Sequence, residues 1–457
     1  MKNNVSSLLI WIASFLILGC DNFVDVDLPA SQLTGNKVFE DAATADAAMT
    51  DIYSKIRDAG ILTGLFGGVS VNFGMYADEL VYYGTDLQPG LPYSNNLEAT
   101  SGITASYWND SYHQIYCCNA VIEGTESSIT LSHDKKNSLI GEALFTRALL
   151  HFYLVNIYGD IPYVASTNYD KNRKVERTKV SLVYDAIVAD LNKAVHLLTE
   201  KYISAERLRP NKAAAWALLA RTYLYQEKWA EASNAASAVL NSSLYTPQNN
   251  VDQIFLKESQ TTIWQIMPKR TGNNTDEGSV FIFNSGPPPT LALSDEFVNS
   301  FENGDQRKTH WIRTINGTNG IWYHAYKYKK NTATSSSVEY SIILRTAEQY
   351  LIRSEARAKQ GDLIGAKEDL NKIRQNAGLN DSPAITADEI VAAVINERRF
   401  ELFTEYGHRF FDLKRTGQLN TVLGGKKQGW NATDNLWPIP EKELLANPFL
   451  KPQNQGY

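Results

Sequence analysis

Apolar residues recur every three or four positions along most of the chain, which is the period of an amphipathic helix. From Ile140, the apolar residues Leu144, Ala148 and Phe152 share one helical face, and this helix should end at Gly159. The same period predicts further helices over residues 40–58, 107–124, 181–199, 211–226, 229–241, 345–360, 363–376 and 387–405. The pattern therefore predicts a mainly α-helical protein.

Two of these helix pairs share a spacing. In "WALLARTYLYQEKWAEASNAASAV", Trp216, Ala220 and Ala232 fall at the offsets of a tetratricopeptide repeat, and "YLIRSEARAKQGDLIGAKEDLNKI" fits the same frame less completely. An isolated pair cannot bury its own apolar face, so the pairs are expected to stack with the other helices. The alternative is that both are unrelated amphipathic hairpins.

Two long regions, 59–106 and 246–340, lack the helical period. They are rich in Gly, Asn, Ser, Thr and Pro and contain only short strand-like segments such as "TIWQIM". Loops of this length usually have a function. Aromatic residues make up 11% of the chain, and many that lie outside the helices fall here. Surplus Tyr and Trp are typical of binding surfaces, because their rings tolerate partial burial.

Composition and motifs narrow the function classes. The chain is 43% hydrophobic with a net charge of −6, and it has no long block of like charge, so no nucleic-acid partner is expected. It has no motif for a metal, a phosphate or a catalytic serine, so no cofactor, metal or catalytic residue is predicted. A glycosidase needs only two carboxylates in a cleft, which leaves Asp78, Glu79, Asp295, Glu296 and Asp305 open as alternatives.

The first residues, "MKNNVSSLLIWIASFLILGC", predict a signal peptide over 1–19. The apolar run from Leu8 to Gly19 is too short to cross a bilayer as a mature helix, and it fits a secretory signal. The end of the run resembles the lipobox of bacterial lipoproteins, which implies cleavage before Cys20 and acylation of that cysteine, with palmitate among the acyl chains. The chain would then be anchored to a membrane rather than spanning it. The alternative is a secreted protein in which Cys20 is incidental.

The stretch "NERRFELFTEYGHRFFDLKR" at 396–415 is dense in charge. Arg398 falls within the apolar stripe of the helix predicted at 387–405, so its guanidinium must be paired. Glu401 and Glu405 lie along one edge of that stripe, where either is predicted to meet Arg398 or Arg409. We interpret the stretch as a structural charge network rather than as acid–base chemistry, which is the alternative. The predicted network consists of Glu397, Arg398, Glu401, Glu405, Arg409 and Asp412.

Four separated stretches together resemble the SusD/RagB family of surface lipoproteins. They are "GEALFTRALLHFYLVNIYGDIPYV", "AEQYLIRSEARAKQGDLIGAKEDLNKIRQNAGL", the charged stretch above and "LWPIPEKELLANPFLKPQNQGY". The resemblance implies a tetratricopeptide-type helical scaffold, with loops and small strands on the opposite side forming a ligand surface. It also implies docking as a lid over a SusC-like TonB-dependent barrel in the outer membrane of Bacteroidetes, facing the cell exterior.

The predicted organisation is a signal peptide at 1–19 and a single SusD-like domain at 20–457. Within that domain, the helical scaffold covers about 36–58, 107–245 and 341–415. The variable ligand-side regions are 59–106 and 246–340, and the closing signature is 436–457.

The resulting hypothesis is a lipoprotein that binds a nutrient, an oligosaccharide in the first instance, and hands it on without catalysis. Rings that stack on sugars and polar side chains that bond hydroxyl groups suit such a site. The predicted ligand-binding residues are Tyr82, Tyr83, Tyr93, Trp311, Trp322 and Tyr323. The alternatives are peptide capture within the same family, a surface glycoside hydrolase, and a tetratricopeptide scaffold for other proteins.

Overall fold

The computed structural model describes residues 37–457, so the predicted signal peptide and Cys20 lie outside the described residues. Helices make up 54% of the chain, which confirms the mainly α-helical prediction. The helices are α1 Ala42–Asp58, α2 Val69–Tyr76, α3 Leu87–Ser94, α4 Gly102–Ser127, α5 His133–Tyr158, α6 Tyr169–Asn172, α7 Val180–Leu197, α8 Lys212–Tyr225, α9 Trp229–Leu240, α10 Asp276–Phe281, α11 Asp295–Asn299, α12 Gln306–His310, α13 Thr346–Lys359, α14 Leu363–Asn376, α15 Ala387–Glu401, α16 His408–Arg415, α17 Leu419–Leu423 and α18 Glu441–Ala446.

The helices pack as neighbouring pairs. Helix α5 contacts α4 and α7, while α8 packs on α9, α9 on α13, and α13 on both α14 and α15. Small residues of the first repeat-like pair, among them Ala217, Ala220 and Ala232, are fully buried between the helices. Among the described helices, α5 is long and apolar enough to cross a membrane, but most of its apolar window is buried inside the protein, as in a core helix.

The predicted helix at 387–405 ends earlier than expected. Helix α15 begins with a capping box between Thr386 and Glu389 and ends at Glu401. Thr404, with φ of 53°, and Gly407, with φ of 74°, lie in the left-handed region, which an α-helix cannot accommodate. The charged stretch therefore forms two helices, α15 and α16, joined by a sharp turn.

The two regions predicted as loops form short helices and a small sheet. The strands are β1 Leu80–Tyr82, β2 Thr262–Ile266, β3 Leu291–Leu293, β4 Ile312–Gly317, β5 Gly320–Ala325 and β6 Ser341–Arg345. Strands β1, β3, β5 and β4 form an antiparallel sheet in that order, and β2 pairs with β6. The segment "TIWQIM" is therefore a strand, as predicted. The four-stranded sheet joins residues from both loop regions, because β1 comes from the first and β3, β4 and β5 from the second.

Side chains of this sheet alternate between two faces, as in any β-strand. The inner face packs on a buried cluster that contains Leu80, Leu291 and Phe297. The outer face carries Ala292 and Ile315, which pack with Phe283 and Trp322 in a separate small cluster. Which face a residue occupies therefore decides whether it is part of the core or is available to a ligand.

The closing segment is tied into the helical core. Trp437 is fully buried, and its ring stacks on those of Phe73 and Tyr107, with ring centres 4.8 and 5.1 Å away. The Asn454 amide donates hydrogen bonds to the carbonyl oxygens of Tyr158 and Trp437, at 2.8 and 2.7 Å. The C-terminal residues thus hold the end of α5 in place.

Candidate functional site

The two adjacent aromatic residues of β5, Trp322 and Tyr323, lie on opposite faces of the sheet. Trp322 pairs with Ile315 across the hairpin and lies on the outer face, half-buried. Tyr323 pairs with Leu293 and Thr314 and packs against the buried cluster under the inner face. Trp322 is thus presented at the surface, while Tyr323 serves the core.

The backbone of three glycines packs against the Trp322 ring. A Cβ atom added to Gly286 would lie 2.1 Å from ring carbons Cε3 and Cζ3 of Trp322, and one added to Gly317 would lie 2.7 Å from Cζ3. A Cβ atom on Gly320 would lie 3.2 Å from Cζ2. Only backbone without side chains can approach the ring this closely, so the glycines set the position of the indole.

Tyr83 lies beside Trp322 and extends the exposed aromatic area, and Tyr93, which is half-buried against the inner cluster, lies near Tyr83. The Tyr83 backbone N–H donates to Thr290 O at 2.7 Å, and its side chain is 42% exposed. Burial of part of the ring and the Asp295 carboxylate raise the pKa of the Tyr83 phenol, while the adjacent Trp322 indole lowers it. We call Tyr83, Tyr93 and Trp322 the aromatic surface.

A lysine lies over one ring of this surface. The Lys427 ammonium nitrogen is 4.1 Å from the centre of the Tyr93 ring and donates to Met75 O at 2.6 Å. Burial lowers the pKa of Lys427 to about 8. A cation at this distance is attracted to the face of the ring, so it holds Tyr93 in position.

One predicted ligand residue, Trp311, is enclosed in the core, and Tyr82, like Tyr323, packs on the inner side of the sheet. Trp311 is 1% exposed, its indole N–H donates to Val251 O at 3.0 Å, and its ring meets Phe255 edge to face. The prediction for Trp311 is therefore wrong, because a ring enclosed on every side cannot stack on a sugar. Tyr82 is half-buried, and its hydroxyl donates to Asp86 O at 3.0 Å. Its ring packs against the buried cluster under the inner face of the sheet.

Polar residues that were not predicted to bind ligand lie next in sequence to the glycines that contact Trp322. Asn284 and Ser285 precede Gly286, and Asn316 and Asn319 flank the turn between β4 and β5; all four are exposed. Amide and hydroxyl groups both donate and accept hydrogen bonds, as sugar hydroxyl groups do. The signal that could have found them is their place next to the three glycines that contact Trp322.

The charged stretch forms a buried ion-pair network, as interpreted from the sequence. Arg345 Nη1 lies 2.5 Å from Glu401 Oε1, and Arg345 Nε lies 2.8 Å from Glu405 Oε2. Arg307 contacts Glu397 and Glu401 at 2.7 and 3.0 Å. Although burial alone would raise it, the two arginines hold the pKa of Glu401 below its ordinary value. Glu401 is therefore charged and shared between two cations.

The predicted glutamate partners of Arg398 and Arg409 are wrong. Arg398 Nε pairs with Asp412 at 2.7 Å, and Arg409 Nε pairs with Asp78 at 2.7 Å. The expected pairing with glutamates relied on helical spacing, but the helix ends at Glu401 and the chain turns. The actual partners come from elements that only the folded chain brings together.

The carboxylates left open as a hydrolytic pair have structural contacts. Asp78 is held by Arg409, and Asp305 pairs with Arg307 at 2.8 Å. Glu79 is buried, accepts a hydrogen bond from the Thr404 backbone, and has its pKa raised to about 7 by burial and by Asp78. Within residues 37–457 no group of three or more His, Cys, Asp or Glu side chains is arranged to hold a metal ion.

A separate groove of about 640 Å³ lies in the helical part of the protein, between α9, α13, α15 and α16. Its lining includes the apolar residues Trp229, Val391, Ile395 and Leu413 together with charged groups. Arg415, which also lines it, is already paired with Glu355 at 2.6 Å. The groove and the aromatic surface are therefore built from different elements.

Comparisons with known proteins agree with this architecture. A family model described as "SusD family" matches residues 264–457, and a SusD-like model described as "Starch-binding associating with outer membrane" matches residues 90–224. SusD-like protein P25 of Formosa agariphila is 22% identical over 97% of both chains. SusD-like protein P2 of the same species is 27% identical over 78% of this chain and 81% of the relative.

Solved structures share the fold. A SusD superfamily protein from Bacteroides vulgatus aligns with a TM-score of 0.80 at 22% identity, over 92% of this chain and 100% of the other. A "Laminarin binding SusD-like protein" aligns with a TM-score of 0.77 at 22% identity, over 91% and 99%. A SusD-like carbohydrate binding protein from Bacteroides fragilis aligns with a TM-score of 0.77 at 20% identity, over 91% and 100%. The two family-model matches, over residues 90–224 and 264–457, show that the chain belongs to the SusD/RagB family.

Proposed function

We propose that this protein binds an oligosaccharide at the aromatic surface and passes it, chemically unchanged, to a SusC-like TonB-dependent barrel. The observation that carries the proposal is the half-exposed indole of Trp322 beside the exposed phenol of Tyr83, with the exposed residues Asn284, Ser285 and Asn319 next in sequence to the glycines that contact the indole. The apolar C–H face of a sugar ring stacks on such rings, and its hydroxyl groups bond to polar neighbours.

The relatives support a carbohydrate as the ligand class. One structural neighbour is named as laminarin binding and another as carbohydrate binding. Their sequence identity to this chain is at most 22%, so the sugar itself does not carry over. The surface around Trp322 must therefore be tested against several glycans.

Binding without cleavage is favoured by the state of the candidate carboxylates. Asp78 and Asp305 are engaged by arginines, and Glu79 is buried. Asp295 and Glu296 are both exposed, and Glu296 pairs with Lys426. A glycosidase needs one carboxylic acid and one carboxylate facing each other across an open cleft, and these residues offer no such pair.

The proposed location is the outer surface of the outer membrane, with Cys20 as the lipid anchor. The family-model description "associating with outer membrane" supports the membrane, and the lipobox-like end of the signal peptide supports the anchor. The apolar groove near Val391 and Ile395 lies on other elements than the aromatic surface.

The test is a calorimetric titration of the purified protein with panels of oligosaccharides and peptides, followed by chromatography of each mixture. We expect saturable binding of at least one intact oligosaccharide, abolished in Trp322→Ala and weakened in Tyr83→Ala. Tyr116→Ala is the matched control, because Tyr116 is 48% exposed on α4 and should leave the affinity unchanged. Binding of peptides but not of oligosaccharides would show that the ligand is a peptide. Cleavage products would show that the protein is an enzyme.

A further inference from the structure

An arginine that makes no ion pair within residues 37–457 lies on the outer face beside Trp322. The strand register places Arg313 opposite His324 and Ile315 opposite Trp322. Diagonal neighbours on one face of an antiparallel pair are about 7–8 Å apart. Arg313 is exposed, and within residues 37–457 no carboxylate is within ion-pair distance of its guanidinium. Its charge is therefore available close to the stacking ring.

A second cation lies near the same part of the face. The half-buried Tyr326 ring has the Arg313 guanidinium 5.4 Å from its centre and the Lys329 ammonium 5.6 Å from it. Lys329 pairs with Asp252, which also contacts His310 Nδ1 at 2.8 Å. The Asp252 carboxylate is thus already engaged, so the Arg313 side of the face keeps a positive charge, while the Asp295 carboxylate lies on the Tyr83 side of the aromatic surface.

His324, which lies opposite Arg313 in the strand register, adds no positive charge to this region. Burial, together with the nearby Arg313 guanidinium, lowers the pKa of His324, whose Nδ1 lies 3.0 Å from Ala325 O. His324 is therefore neutral at neutral pH. The positive charge beside Trp322 is therefore that of the Arg313 guanidinium.

We propose that Arg313 is an anion subsite next to the stacking ring, and that the natural ligand is an acidic oligosaccharide carrying a carboxylate or sulfate group. This inference rests on the proposed function, because it places one sugar ring on Trp322 and the acidic substituent of that ring, or of the next, at Arg313. The planar guanidinium donates two parallel hydrogen bonds to a carboxylate or sulfate. Loss of this contact weakens acidic ligands and leaves neutral ones unaffected.

The experiment compares three probes by calorimetry at low and high salt: oligogalacturonates, sulfated galactan oligosaccharides and neutral glucan oligosaccharides. We expect an acidic probe to bind more tightly than the neutral one, with an affinity that falls as the salt concentration rises. Arg313→Gln should weaken the acidic probe at least tenfold, and Arg313→Lys should weaken it less. Comparing the affinities for oligogalacturonates and for sulfated galactan oligosaccharides shows whether a carboxylate or a sulfate is preferred.

Arg270→Gln is the matched control, since Arg270 is also exposed and also lacks an ion-pair partner within residues 37–457. It should leave every affinity unchanged. Equal binding of neutral and acidic probes, with no effect of Arg313→Gln, would overturn the anion subsite while the proposed function stands. If no probe binds, or if Trp322→Ala binds as the parent does, both proposals fail.

Discussion

Glu401→Gln tests whether the buried carboxylates of the charged stretch stabilise the fold. Glu401 is 4% exposed, and its two carboxylate oxygens lie 2.5 and 3.0 Å from Arg345 and Arg307. The substitution keeps the shape but removes the charge, and it turns an amide N–H₂ group toward a guanidinium that also donates. Removing one partner of a buried ion pair costs about 3–5 kcal/mol. Arg345 keeps Glu405 and Arg307 keeps Asp305, so we expect about 3 kcal/mol, the lower end of that range.

The assay is urea denaturation at pH 7, followed by tryptophan fluorescence and far-UV circular dichroism. The midpoint should fall with little change in slope. Glu258→Gln is the matched control: its carboxylate is 69% exposed and lies 3.6 Å from Lys257, which also pairs with Glu206. This control should cost less than about 1 kcal/mol. Equal midpoints for the two variants would refute the stabilising role. Loss of ligand binding at an unchanged midpoint would show that Glu401 acts in ligand binding instead.

Three further predictions follow from burial and close contact. Burial lowers the pKa of His151 to about 3, so the unfolded chain takes up a proton below about pH 6.5 while the folded chain does not. The free energy of unfolding should therefore fall as the pH drops from about 6.5 to 3, by up to about 1.4 kcal/mol per pH unit. In His151→Gln, urea midpoints measured over the same pH range should lack this part of the fall. Glu79, whose pKa is raised to about 7, has the opposite sign: its contribution is present below pH 4.5 and is lost as the pH rises through 7. Glu79→Gln should gain stability relative to the parent between pH 5 and pH 8, and an equal shift at both pH values would contradict this. Gly286→Ala should displace the Trp322 ring, because the new Cβ atom would lie 2.1 Å from it, and should lower the affinity for oligosaccharide at least tenfold in titrations while the urea midpoint stays close to the parent value.

Much of the helical fold can be predicted from the sequence because helical periodicity is local. The helices predicted at 211–226, 229–241 and 363–376 are observed within a residue or two of those bounds. Their apolar faces and terminal signals lie within a few turns of each other, so no distant contact is needed to identify them. The helix predicted at 387–405 was too long, because the turn after Glu401 depends on left-handed backbone positions that the period of apolar residues does not reveal.

The faces of the small sheet were decided by tertiary structure. Trp322 and Tyr323 are adjacent in sequence and were both predicted to bind ligand, but a strand sends adjacent side chains to opposite sides. Which side meets the core depends on the pairing of β5 with β3 and β4, which come from distant positions. The prediction that Trp311 binds ligand is wrong because distant segments enclose the ring: it packs against Phe255 and donates to the Val251 carbonyl oxygen.

The sequence by itself determined that the charged stretch must be paired, because a guanidinium in an apolar stripe cannot stay buried alone. It could not determine the partners. Asp78 reaches Arg409 from the first loop region, and Arg345 reaches Glu401 from the end of β6. Charge and periodicity are properties of neighbouring residues, whereas ion-pair partners and exposed faces depend on which distant segments the folded chain brings into contact.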